Sequence, residues 1–84
     1  GDVERREEAV ARRMRRGADQ FEAIFRTAVE RAQREGDVSA EKDPDALARY
    51  LMSSRSGLLA VRKAGASKAT LRDIVDVTLS VLDE

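Results

Sequence analysis

The chain has 84 residues, enough for one small domain, and a domain of that size buries only about 60–65% of the surface its unfolded chain exposes. Sixteen Lys and Arg balance sixteen Asp and Glu, which removes any global electrostatic reason to bind nucleic acid. Cysteine and histidine are both missing, which excludes disulfides, thiolate metal sites, a cysteine nucleophile, the commonest metal ligand and the commonest general base; a partner chain is the remaining way to gain stability.

The first predicted element runs from about residue 2 to 35. Val3, Val10, Met14, Phe21, Phe25, Ala28 and Ala32 recur at steps of three, four and seven, so they share one helical face. The phase survives Gly17, so one long helix is expected there, although glycine costs about 1 kcal/mol against alanine inside a helix. Asp2, Glu4, Glu7 and Glu8 suit the positive end of the helix dipole. Glu22, Arg26, Glu30 and Arg34 repeat every four residues, the pattern of a solvated face. Gly36 is placed to end the helix.

A short polar link leads to Asp43-Pro44, a cap followed by a first helical position that needs no N–H. The second predicted helix covers 44–64. Leu47, Tyr50, Leu51, Ser54, Leu58 and Val61 form its expected inward face, beside a stripe of small residues at Ser53, Gly57, Ala60 and Ala64. Gly65 stops it, and Ser67 caps a third helix over 67–82. There the polar stripe is narrow, about one residue per turn, so burial on more than one side is expected. The predicted fold class is all-α, a single domain over 1–84, with a long helix followed by an antiparallel helical hairpin.

At 1.5 Å per residue the first helix is about 50 Å long and the second about 30 Å, so the hairpin cannot cover the whole apolar face of the first. Either Val3, Val10 and Met14 rest on parts of a longer parent or another chain covers them; the economical arrangement is a symmetric pair, with the second and third helices of each copy meeting their counterparts in a four-helix interface. The residues expected in this homodimer interface are Met52, Ser56, Leu59, Arg62, Lys63, Ile74, Val77 and Val81.

Other clusters have ordinary explanations. Arg12, Arg13, Arg15 and Arg16 lack aromatic interleaving, and Glu8 and Asp19 lie four residues from Arg12 and Arg15, so a solvated face is the reading preferred to phosphate contact. Asp73, Asp76, Ser80 and Asp83 share one stripe, but a hard cation needs oxygens converging from several directions. Ser53, Ser54 and Ser56 have no histidine and no Gly-x-Ser-x-Gly setting. No metal, no cofactor and no catalysis are expected. Phe21, Phe25 and Tyr50 are the only aromatics and serve either as core or as the lining of a small-molecule pocket. No apolar run reaches the ~20 residues that span a bilayer, and no signal peptide is visible, so a cytoplasmic location is expected. The chain does not begin with Met and is expected to be a piece of something longer.

The run Phe25-Arg26-Thr27-Ala28-Val29-Glu30-Arg31-Ala32-Gln33-Arg34-Glu35-Gly36-Asp37-Val38 resembles the helix and turn before the dimerisation hairpin of TetR-family transcriptional regulators. Asp43-Pro44-Asp45-Ala46-Leu47-Ala48-Arg49-Tyr50-Leu51 resembles the start of their penultimate helix. Gly57-Leu58, Arg62-Lys63-Ala64-Gly65-Ala66 and Leu71-Arg72-Asp73-Ile74-Val75-Asp76 resemble the rest of the hairpin. The likeness spans roughly residues 20–82. It implies a bacterial repressor whose C-terminal domain dimerises and binds a small effector, with Phe21, Phe25 and Tyr50 as the possible pocket. Operator DNA would be reached only through an N-terminal helix-turn-helix domain absent from these residues. The alternative is a free-standing helical homodimeric interaction module of adaptor or antitoxin type.

Overall fold

The computed structural model describes residues 1–83; Glu84, the last residue of the predicted domain, lies outside them. Three helices make up the chain, α1 (Asp2–Arg34), α2 (Pro44–Lys63) and α3 (Lys68–Ser80), and no strand occurs among the described residues. α1 passes through Gly17 without a break.

The helix ends follow from local chemistry. Gly36 and Gly65 both have positive φ, +84° and +94°, the left-handed conformation that glycine adopts without cost. At the first, the Gly36 N–H donates to the Gln33 carbonyl and the Asp37 N–H to the Ala32 carbonyl. At the second, the Gly65 N–H donates to Arg62 O and the Ala66 N–H to Val61 O. Both are Schellman turns that satisfy carbonyls left over at a helix end. Asp43 accepts from the Asp45 N–H at 2.9 Å, and Ser67 Oγ accepts from the Thr70 N–H at 3.1 Å, so both expected caps form. α3 stops at Ser80, two residues short of the predicted end. No glycine terminates it, and the Leu82 and Asp83 N–H groups bond three residues back instead, tightening the last turn.

α2 packs against both α1 and α3, while the backbones of α1 and α3 do not approach each other. Two ion pairs, Arg49–Glu22 at 3.1 Å and Arg26–Asp45 at 3.5 Å, hold α1 to α2; exposed pairs of this kind contribute only about 0–1 kcal/mol each. The Gln33 amide donates to the carbonyls of both Ser39 and Lys42, pinning the link between α1 and α2. Lys42 Nζ in turn donates to the Val81 carbonyl at 2.8 Å. That places a cation at the C-terminal end of α3, which has no basic residue of its own in its last turn.

The buried apolar residues are Val29, Val38 and Ala48. Val29 does not belong to the row of apolar residues that the α1 spacing selects, and Ala28, which does, is exposed. Seven-residue steps drift by about 20° around a straight helix, so a row followed from Val3 to Ala32 has no single phase to commit to. α2 settles on the line through Ala18, Phe25 and Val29, leaving Val3, Val10 and Met14 bare. Tyr50 and Val61, expected to face inward, are also exposed.

The resulting molecule is thin. Its Cα atoms span 52 × 32 × 13 Å and its radius of gyration is 16.0 Å, against about 12 Å for a compact chain of this length. Its accessible surface is 6579 Å², where a compact monomer of 9.3 kDa exposes about 5,000 Å². The excess is about 1,600 Å², twice the ~800 Å² that each partner contributes to an ordinary protein–protein interface.

Candidate functional site

Because the backbones of α1 and α3 stay apart on either side of α2, a cleft opens between them. Phe25 of α1, Leu51, Ser54, Arg55 and Leu58 of α2, and Ile74, Val75, Thr78 and Leu79 of α3 line it. Its volume is about 150 Å³, below the 300–1,000 Å³ typical of sites for small organic ligands. The lining is almost wholly apolar, so the cleft offers shape and hydrophobic contact rather than acid–base chemistry.

A second hollow of about 360 Å³ lies between α1 and α2, lined by Met14, Gly17, Ala18, Phe21, Met52, Arg55 and Ser56. Arg55 stands at the junction of the two hollows. Its guanidinium lies 3.9 Å from the centroid of the Phe21 ring, a cation–π contact. The structure therefore separates the three aromatics. Phe25 lines the cleft, Phe21 lines the neighbouring hollow under Arg55, and Tyr50 lines neither. Arg55 was not singled out from the sequence. Its signal is present all the same, since Leu51, Arg55 and Leu58 fall at helical spacing on the side of α2 that lines the cleft.

The expected interface residues are distributed over several surfaces. Met52 and Ser56 border the hollow beside α1, and Ile74 lines the cleft. Leu59 and Val81 are half-buried, while Arg62 and Lys63 are exposed. Val77 is 69% exposed among the described residues. On α2 the small-residue stripe Ser53, Gly57, Ala60 and Ala64 is entirely exposed, with the bare side chains of Tyr50 and Val61 alongside. A second helix could approach this stripe closely, and large apolar groups stand ready at its edge.

Among the described residues no group of His, Cys, Asp or Glu is arranged to hold a metal ion, and no helix is long and apolar enough to cross a membrane. The Glu4 carboxyl lies below its usual range, mainly because the chain's N-terminal ammonium sits 2.7 Å away. Both groups are at an exposed helix end, so the shift reflects a local ion pair rather than a reactive site. Arg12 pairs with Glu8 at 3.9 Å, as its spacing predicts.

Over 75 residues the chain is 43% identical to an uncharacterized HTH-type transcriptional regulator, YezE, of Bacillus subtilis (strain 168). The matched segment covers 88% of this chain and 39% of that protein, so the chain spans about two fifths of the relative's length. No protein-family profile matches the chain, and no solved structure matches it.

Proposed function

We propose that the chain is the effector-sensing and dimerisation part of a bacterial TetR-like transcriptional repressor, acting in the cytoplasm and without catalytic activity. The observation that carries this reading is the 43% identity to an HTH-type regulator over 88% of the chain. In this reading α2 and α3 form an antiparallel hairpin. The tight turn at Gly65 and the bond from Lys42, just before α2, to Val81, just after α3, support that arrangement. Two hairpins would meet through the small-residue stripe of α2 and the bare Val77 of α3, a pairing that the surface excess favours. The apolar cleft beside Phe25 would be one wall of the effector site, since at about 150 Å³ it is too small to enclose an organic molecule by itself. Operator DNA would be contacted by a separate helix-turn-helix segment, and the role of this chain would be to set the distance between two such segments.

The test joins the chain to a helix-turn-helix domain that represses only as a dimer. Repression should appear with the fusion and disappear with Val77→Arg. A soluble, helical fusion that fails to repress would overturn the reading.

A further inference from the structure

One charged residue stands in the walls of both hollows. Arg55 lines the cleft between α1 and α3 and also the hollow between α1 and α2, and no Asp, Glu or Lys lines either. The combined wall is apolar and positive, and its charge is set by residues of this chain whatever packs over it. Arg26 and Arg49, which also face across from one helix to another, are neutralised by Asp45 and Glu22. Arg55 makes no ion pair among the described residues. Its guanidinium lies instead over the Phe21 ring, 3.9 Å from the centroid. Such stacking engages the flat face of the group and leaves its N–H edge to an acceptor in the plane.

We propose that the effector is a small carboxylate carrying one apolar ring. The ring enters the cleft against Phe25, and the carboxylate accepts from the N–H edge of Arg55, which Phe21 holds from beneath. This rests on the reading of the cleft as one wall of an effector site, and it names the chemical class that the wall takes.

Volume and charge select this class together. A space of about 150 Å³ lined by aliphatic and aromatic side chains holds one benzene-sized ring. The rest of a larger molecule must then lie at the junction with the second hollow, where Arg55 stands. An arginine fork matches a planar carboxylate with two parallel hydrogen bonds. A phosphate monoester brings nearly two negative charges, whereas Arg55 is the one cation in the lining of either hollow. An apolar helix laid in the same place would cover the guanidinium without giving it an acceptor, which is costly. An anion with an apolar body satisfies both parts of the wall.

The test titrates the chain with phenylacetate, and with phenylacetamide and phenethylamine, which keep the shape while removing or inverting the charge. Methyl NMR reads the site directly. Phenylacetate should shift the methyl resonances of Leu51, Leu58, Ile74 and Val75 saturably, at least tenfold more tightly than phenylacetamide, and phenethylamine should not bind there. Arg55→Gln should weaken phenylacetate about tenfold and leave phenylacetamide within about twofold, since a hydrogen bond to a charged group is worth that factor or more. Arg55→Lys should recover part of the loss, because it keeps the charge without the planar fork. Ser54→Leu, which puts a larger apolar group into the cleft, should abolish binding of both probes with the circular dichroism unchanged. Equal affinity for the acid and the amide, or an Arg55→Gln chain that binds phenylacetate as well as the parent, would overturn the assignment. So would a folded, helical chain that shows no shift at about 10 mM probe, where even weak fragments bind; the cleft would then belong to another segment or a second copy. The helix-turn-helix fusion keeps the two readings apart. Binding that follows Arg55 in a fusion that does not repress removes the regulatory reading alone, and repression without carboxylate selectivity removes the ligand class alone.

Discussion

Replacing Val77 by arginine tests the hairpin seam with little collateral damage. The side chain is 69% exposed within the chain, and substitutions at such positions usually change the stability of the chain itself by no more than about 0.5 kcal/mol. Its effect should therefore appear only on association. Fully burying a valine contributes about 1.5–3 kcal/mol, so burying the exposed two thirds contributes about 1–2 kcal/mol per chain. A two-fold axis counts each loss twice, giving about 2–4 kcal/mol before the guanidinium's own desolvation is added. At 1.4 kcal/mol per decade this weakens the dimer about 30- to 700-fold. The measurement is sedimentation equilibrium across the micromolar range. A variant with the parent's association constant and helicity would show that the seam does not run through Val77. A parent that is monomeric would show that the hairpins do not pair at all.

Two glycines should respond with opposite sign to the same change. Gly65→Ala places a Cβ on a backbone with φ of +94° and should cost about 1–2 kcal/mol, or roughly 5–10 °C in melting temperature. Gly17→Ala meets nothing within 4 Å inside a regular helix and should gain about 0.5–1 kcal/mol. Ser67→Ala removes the acceptor for the Thr70 N–H and should cost about 1 kcal/mol in thermal or urea unfolding; an unchanged midpoint would mean that the start of α3 is held otherwise. The isolated chain, balanced in charge, should show no sequence-specific duplex binding that survives moderate salt, because non-specific phosphate contacts weaken steeply as salt rises. A mobility shift specific to one sequence at 200 mM salt would contradict this.

The helix ends were legible in the sequence because each is decided locally. Asp43 and Ser67 cap their own helices, and Gly36 and Gly65 supply the one backbone conformation that their turns require. The facing of each helix was not, because it is decided by a neighbour. α1 offers apolar or small residues over well more than one stripe, and periodicity does not say which of them α2 will choose. It chose Val29 and left Met14 outside. The same ambiguity displaced the aromatic trio. Phe21 and Phe25 are four residues apart and neighbours on the helix, yet Arg55 stands between the spaces they line. Spacing alone puts Met52 and Ser56 with Val77, whereas in the structure they line the hollow beside α1.

The thinness of the molecule bears on how its stability should be described. With a Cα thickness of 13 Å, barely one helix deep, almost every side chain among the described residues is in reach of water, and only Val29, Val38 and Ala48 are buried. Whatever packs on these faces adds directly to the stability of the helices. Where the occupant is a second copy of the chain, each tenfold fall in concentration removes about 1.4 kcal/mol per dimer of that contribution, and a melting temperature then has meaning only at a stated concentration.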